Sequence, residues 1–332
     1  MSLLARLPEH WYRRTPLSWL LWPVSWLYCL LVGCRRFLYR TGVFKSQSLP
    51  APVIVVGNLT VGGSGKTPLV IWLARHLRDR GYRPGIVTRG YGGSLLRPPQ
   101  RVTTASDPAI VGDEPLLLAR HAGCPVMADA DRVRAARALA TELQCNLILS
   151  DDGLQHYRLA RDIEIAVIDG ERRFGNGFCL PAGPLREPIG RLKDVHLTVT
   201  QGVARPGEHR MDLVETGYCA VEGGALKPLD IFNGQQVHAV AGIGNPGRFF
   251  GHLRKLGVRP IEHPFPDHHV FREADVRFGD DLPVIMTEKD AVKCSSFSGP
   301  LWYLAVEAKP DFDFASALSA RLKEVKRGQE TA

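Results

Sequence analysis

The sequence predicts an α/β protein: a parallel sheet, a second and smaller α/β unit behind it, and an apolar helix in front. Three observations carry this prediction. Apolar, β-branched runs such as 53–57, 146–150 and 163–169 alternate with helical patterns, as strands do when crossover helices bury both their faces. The composition shifts at 206–230 to short alternating segments with glycines, and a second strand–helix series then begins at 231. Residues 17–34 are almost wholly apolar and lie between arginine pairs. The expected divisions are a membrane-associated segment (1–45), a nucleotide-binding domain (46–205), a β linker (206–230) and a C-terminal α/β domain (231–332).

In the first segment, 17–34 is flanked by Arg13-Arg14 and Arg35-Arg36. About 18 residues is the lower edge of a bilayer span. Trp19, Trp22, Trp26 and Tyr28 suit the headgroup region, and Pro23 would kink a helix. No small-residue cleavage site precedes the first strand, which sets aside a cleaved signal peptide. A true span would have basic flanks on both sides and no orientation by the positive-inside rule. The reading adopted is an interfacial helix on the cytoplasmic leaflet, its arginines on anionic lipid. A buried core helix is the alternative.

Residues 53–57 read as a buried strand. A glycine-rich turn follows and ends in Gly65-Lys66-Thr67, and Pro68 with the apolar 69–73 starts a helix. Strand, glycine loop and helix N-terminus make a phosphate cradle, because loop N–H groups close on phosphate oxygens and the helix dipole favours the anion. The candidate nucleotide-binding residues are Thr60, Val61, Gly62, Gly63, Ser64, Gly65, Lys66 and Thr67. Lys66 is expected on the outer phosphates and the Thr67 hydroxyl on Mg²⁺. The regular pattern asks for glycine where this chain has Thr60. The flanking strand and helix still give residues 46–205 a P-loop NTPase-like character.

Residues 85–93 read as a strand entering a flexible loop. Asp113-Glu114 opens a helical pattern, where an acidic pair reads as capping and dipole pairing. A short strand (125–128) and an Ala/Arg-rich helix (131–143) follow. The apolar 146–150 then ends in Asp151-Asp152, and carboxylates at a strand end beside a P-loop hold the metal or its waters. The Gly- and Pro-rich 170–188 is too patterned for a linker, and 196–200 closes the sheet. In the second unit, Gly242-Ile-Gly244 lacks the third glycine of a dinucleotide fingerprint. His268-His269 reads as a surface pair or an under-coordinated metal pair. Lys289-Asp290 lacks the spacing of a guanine reader. A strand at 301–306 and an amphipathic helix at 312–325 end the chain.

The chain has 332 residues and a formal charge of +8, and the part before residue 46 alone nets +6. That asymmetry points to an anionic surface near the N-terminus. No aromatic–basic interleaving of a nucleic-acid module is present, so nucleic acid is not an expected partner. Seven scattered cysteines without a Cys-x-x-Cys pair read as reduced packing residues.

Several longer motifs combine into a resemblance. They are Gly57-Asn-Leu-Thr-Val-Gly-Gly-Ser-Gly-Lys-Thr-Pro68, Thr88-Arg-Gly-Tyr-Gly92, Gly112-Asp-Glu-Pro115 and Asp151-Asp-Gly-Leu-Gln-His156. Gly175-Asn-Gly177, Pro181-Ala-Gly-Pro-Leu-Arg-Glu187, Asp267-His268 and Met286-Thr-Glu-Lys-Asp-Ala-Val-Lys293 join them. Over nearly its whole length the chain resembles the tetraacyldisaccharide 4′-kinases of lipid A biosynthesis in Gram-negative bacteria. The resemblance implies two α/β/α domains joined by a β linker, and a monomeric enzyme at the cytoplasmic face of the inner membrane, peripheral or monotopic. It implies ATP and Mg²⁺ as cofactors and a lipid A disaccharide precursor as partner. The γ-phosphate would pass to the 4′-hydroxyl of tetraacyldisaccharide 1-phosphate, giving lipid IVA. It also implies that Asp113 and His268 share the base role, in place of capping and a surface pair. Lys66 would serve in catalysis, and Glu114, Asp151, Asp152 and Glu187 would be metal and site carboxylates. The rival class, a membrane-sorting P-loop switch, wants lysine where Val61 stands. A lipid-binding scaffold would leave the P-loop and Asp151-Asp152 without a use.

Overall fold

The computed structural model describes residues 10–95 and 98–330. Arg6 and Glu9, counted above in the N-terminal charge, and the first nine residues of segment 1–45 lie outside the described residues. So do the last two residues of 231–332.

The chain opens with α1 (Pro16–Arg40), a 25-residue helix. Thr15 caps it: its hydroxyl accepts from Ser18 N, and Pro16 occupies the first turn, where a missing N–H costs nothing. The helix runs on through Pro23. It buries only Ser18 and Ser25, while Trp19, Leu20, Trp26, Leu31 and Phe37 are more than half exposed. This removes the alternative of a buried core helix. Among the described residues it is the one helix long and apolar enough to cross a membrane.

The first lobe contains β1 (Val53–Gly57), β2 (Pro84–Thr88), β3 (Gln100–Val102), β4 (Val126–Ala128), β5 (Leu147–Ser150), β6 (Ile163–Asp169) and β7 (Leu197–Gln201). Its longer helices are α2 (Lys66–Arg78), α4 (Asp113–His121) and α5 (Arg132–Thr141), with the short α3 (Pro108–Val111) before α4. Alternation explains the layering. Ile54 and Val56 join a core with α2 and α4 on one face, and Val53 and Val55 join a core with α5 on the other. The second lobe has β9 (Gln236–Ala241), α6 (Pro246–Lys255), β10 (Arg259–Pro264), β11 (Val284–Thr287) and the short α7 (Glu288–Ala291). Its sheet is likewise sandwiched, with Ala239 and Ile285 facing one core and Val240 and Met286 the other.

Two long strands, β8 (His209–Ala220) and β12 (Leu301–Pro310), join the lobes. The described strands form one twelve-stranded sheet in the order β10-β9-β11-β12-β8-β7-β6-β1-β5-β2-β4-β3. β7 pairs parallel with β8, β8 antiparallel with β12, and β12 parallel with β11. Strand polarity therefore reverses between the lobes, and the ribbon is irregular at Ala305/Val306. The last helix, α8 (Phe312–Glu330), packs Phe314, Leu318 and Leu322 into the first lobe's core. A boundary at 231–332 therefore divides the sequence where packing does not, because β12 carries the chain back before α8 begins.

Candidate active site

The loop after β1 is shaped from both sides. Asn58 is buried, and its amide donates to Gly62 O (3.3 Å) and Ser64 Oγ (3.1 Å). From outside, Val61 N donates to Pro184 O (2.8 Å) and Arg186 N to Leu59 O (2.6 Å), and Thr60 bridges Leu185. Gly65 has φ +85°, and a Cβ there would lie 2.9 Å from Gln201 Oε1, so only glycine fits. A Cβ on Gly62 or Gly63 would meet nothing within 4 Å. The loop lines a cavity and is bordered at Gly63 N by Gly244, and Lys66 and Thr67 stand beside it in the first turn of α2. Open backbone N–H groups at a helix N-terminus fit a phosphate chain.

β5 delivers Asp151 and Asp152 opposite this loop. Arg132, buried at the start of α5, donates to Ser150 Oγ (3.2 Å), Asp151 O (2.6 Å) and Asp152 O (3.4 Å). This clamp holds Asp152 at φ +47°, a left-handed conformation that few side chains adopt. The two carboxylates then diverge. Asp152 faces Arg186 Nη1 with both oxygens (2.9 and 3.0 Å) and Lys66 Nζ (3.5 Å). Burial pushes its pKa up, but Lys66 and Arg186 outweigh that and hold it well below the usual carboxylate range. Asp151 has no such partner. Burial, then the charges of Glu114 and Asp152, push it up to about 7, and its Oδ1 is buried without a hydrogen bond.

The opposing wall crosses between lobes. Asp113 is buried at the start of α4, with Oδ1 accepting from Glu114 N (2.9 Å) and Oδ2 3.2 Å from His268 Nδ1. His268 sits in the loop after β10 at φ +60°, edge-on to the Tyr91 ring. The Asp113 hydrogen bond raises the His268 pKa against the effect of burial. Burial raises Asp113 in turn, but His268 and Lys289 bring it below its ordinary value. Lys289, from α7, lies 3.2 Å from Glu114 Oε1, 3.3 Å from His268 Nε2 and 3.4 Å from Asp267 Oδ1. His269 turns away to Asp275 (3.1 Å), so the two histidines are neither a surface pair nor a metal pair.

The lobes enclose a cavity of about 1200 Å³. Its lining includes Lys66, Thr67, Glu114, Asp152, Glu187 and His268, but neither Asp113, which lies behind the histidine, nor Asp151, which is buried beside Asp152. Among the described residues, no three His, Cys, Asp or Glu side chains gather closely enough to hold a metal by themselves. Glu187 departs most from the metal set. It is buried, with one oxygen accepting from the Tyr157 hydroxyl and the other from Gln155 Nε2 (2.9 Å). Asp152 is committed to two cations. The unpartnered Asp151 oxygen, with its pKa raised by acidic neighbours, is the feature a cation would relieve. Magnesium binds through one or two carboxylates plus phosphates and water, so this smaller set fits it.

A family model described as tetraacyldisaccharide-1-P 4′-kinase (LpxK) matches residues 17–323. The chain belongs to the tetraacyldisaccharide 4′-kinase family. A relative of that name from Nitrosococcus oceani is 51% identical over 324 residues, covering 97% of this chain and 95% of the relative. Another, from Alkalilimnicola ehrlichii, is 50% identical over 331 residues, covering 96% and 97%. A crystal structure of the "apo" form of LpxK from Aquifex aeolicus in complex with ATP superposes with a TM-score of 0.75. It is 28% identical and covers 92% of this chain and 99% of that one.

Three site residues of this kinase carry no assignment from the sequence: Arg132, Arg186 and Lys289. The last two stand inside motifs quoted above, and a cation within a patterned glycine- and proline-rich loop or just after a strand end is the signal that marks them. Arg132 had none, because in an Ala/Arg-rich helix it resembles its exposed neighbours.

Proposed function

We propose that phosphoryl transfer in this kinase runs between Lys66 on one wall of the cavity and the Asp113–His268 pair on the other. The enzyme is an ATP-dependent tetraacyldisaccharide 4′-kinase of lipid A biosynthesis. The residue assignment is supported above all by the 3.2 Å contact that joins Asp113 and His268 across the lobes, facing the loop that carries Lys66. A sugar hydroxyl is a weak nucleophile, and a base within reach removes its proton as the bond forms. His268 lines the cavity and Asp113 does not, so His268 is the member that meets the hydroxyl. With Nδ1 turned to Asp113, Nε2 takes the proton once the hydroxyl replaces Lys289, which lies 3.3 Å from that nitrogen, and the buried carboxylate fixes the ring and stabilises the imidazolium.

Lys66 and the loop N–H groups hold the ATP phosphates, and positioning of this kind is most of what phosphoryl transfer requires. Asp151, Glu114 and Thr67 would hold Mg²⁺ jointly with the nucleotide, and the ion would supply neutralisation of phosphate charge. Asp152 keeps Lys66 and Arg186 in place, and Glu187 fixes Gln155 and Tyr157. The exposed side of α1 rests in the cytoplasmic leaflet, where the acyl chains of the substrate lie.

The test is transfer of ³²P from γ-labelled ATP, with Mg²⁺, to tetraacyldisaccharide 1-phosphate in mixed micelles. Labelled lipid is expected from the native enzyme and none from Lys66→Ala. Label transferred at the native rate by Lys66→Ala would overturn the P-loop assignment. Phosphate released steadily without acceptor, and no labelled lipid, would favour the switch reading.

A further inference from the structure

The stretch 176–187 touches two things at once, and specific polar bonds join it to each. On one side it holds the nucleotide loop, through Val61 N to Pro184 O (2.8 Å), Arg186 N to Leu59 O (2.6 Å) and the Thr60–Leu185 bridge. Its Arg186 and Glu187 side chains anchor Asp152, Gln155 and Tyr157. On the other side it holds α1. The Ser25 hydroxyl donates to Cys179 O (2.8 Å) and accepts from Ala182 N (2.9 Å), and both bonds are buried. One turn on, Tyr28 donates its hydroxyl proton to Arg186 O (3.0 Å). The stretch has little room to absorb movement. Asn176 ties its neck, bonding Ala182 O (2.8 Å) and Phe178 N (3.0 Å), and a Cβ on Gly183 would lie 2.2 Å from Asn176 Oδ1.

We infer that Ser25 and Tyr28 are positioning residues through which α1, seated on the membrane, sets the geometry of the nucleotide loop and of Arg186. Their chemistry separates this role from anchoring. Ser25 and Tyr28 lie on the side of α1 turned to the protein, whereas Leu20, Leu27 and Leu31 lie exposed on the other. A residue that only anchored the helix would belong to the exposed set. The same helix also walls the catalytic cavity with Tyr28, Val32 and Arg35. Tightly packed groups with few alternative arrangements transmit a displacement rather than dissipate it. A shift of α1 is therefore felt at Leu59, Thr60 and Val61. The inference rests on the reading of residues 60–67 as the ATP loop.

The test compares Tyr28→Phe and Ser25→Ala with the native full-length enzyme in three readouts. Flotation with phosphatidylethanolamine/phosphatidylglycerol vesicles reports anchoring. Initial rates in mixed micelles separate kcat from the KM for lipid. Titration with a fluorescent ATP analogue, without lipid acceptor, reports the loop. Tyr28→Phe is expected to float as the native enzyme does and to keep its lipid KM. Its kcat should fall roughly threefold to tenfold, the effect of one lost hydrogen bond, with weaker binding of the analogue. Ser25→Ala strands two buried backbone groups and should lose more; if it does not fold, Tyr28→Phe alone decides. Unchanged kcat and analogue binding would overturn the inference, and so would a loss confined to flotation. A native enzyme that binds the analogue but labels no lipid would refute the kinase reading instead, and the analogue titration would still decide the coupling.

Discussion

Asp151 and Asp152 are neighbours in the chain with opposite surroundings. Asp152 meets Lys66 and Arg186 and stays ionised, while Asp151 is pushed up to about 7. The difference follows from a turn that points one side chain inward and the other across the cleft, with Arg132 bonding the carbonyls of both. His268 also has positive φ, and strain of this kind persists at sites where surrounding contacts over-determine it. The Asp113–His268 pair yields a pH prediction. In the proposed base role only neutral His268 takes the hydroxyl proton, and Asp113 keeps it protonated to higher pH than usual. The acid limb of kcat/KM should therefore lie above the ordinary histidine value of about 6.5, with activity rising as pH rises through it. Asp113→Asn removes the charge that holds the proton, so the limb should move down and the plateau should fall. Measuring kcat/KM from acid to alkaline pH at saturating Mg²⁺ checks this; an unmoved limb would return Asp113 to its bond with Glu114 N.

At the scale of the element, α1 is legible in sequence and under-read by it. Its apolar run, tryptophans and flanking arginines are what an interfacial helix is expected to have. Nothing in that pattern distinguishes Ser25, one small polar residue among many apolar ones, as a point of attachment. The helix meets the protein along its length, from Ser18 through Ser25 and Tyr28 to Arg36, which pairs with Asp194. Crossing a bilayer would break these contacts. Deleting residues 1–34 should thus remove vesicle binding and also lower kcat in detergent micelles by at least about tenfold, the loss of several buried hydrogen bonds. A truncated enzyme that no longer floats yet turns over at the native rate in micelles would show α1 to be an anchor alone.

Across the whole molecule, the proposed catalytic groups come from both lobes, so the lobe contacts decide whether a site exists. Arg248 Nη2 lies 2.6 Å from both oxygens of Asp169, whose carboxylate is almost fully buried. Arg172 reaches Gly244 O (2.5 Å), and a Cβ on Gly244 would lie 3.2 Å from Gly63 N. The second lobe thus closes directly onto the nucleotide loop. Arg248→Ala leaves the Asp169 carboxylate with only its backbone donors, Glu171 N and Arg172 N. The expected cost is about 1–3 kcal/mol, read as a fall of a few degrees in Tm, together with a higher KM for ATP. A fall in Tm with an unchanged KM would mean that the bridge stabilises the fold without shaping the site.

Local sequence determined the parallel sheet, the phosphate loop and the amphipathic elements. Each depends on residues a few positions apart: β-branched runs, glycines before Lys66-Thr67, and apolar residues at strand or helix spacing. It also placed Asp151 and Asp152 at a strand end. The divergence of those two carboxylates, the withdrawal of Glu187 to Tyr157 and Gln155, and the meeting of Asp113 with His268 were decided by tertiary structure. So was the return of α8 to the first lobe. The Asp113–His268 contact spans 155 positions and depends on a strand reversal at β8 and β12. A carboxylate's charge depends on which cations reach it through a low-dielectric interior, and those cations, Arg186 and Lys289, come from a distant loop and from a short helix of the second lobe. Short-range pattern fixes what a segment becomes; the charges and partners it meets follow from how the whole sheet is wound.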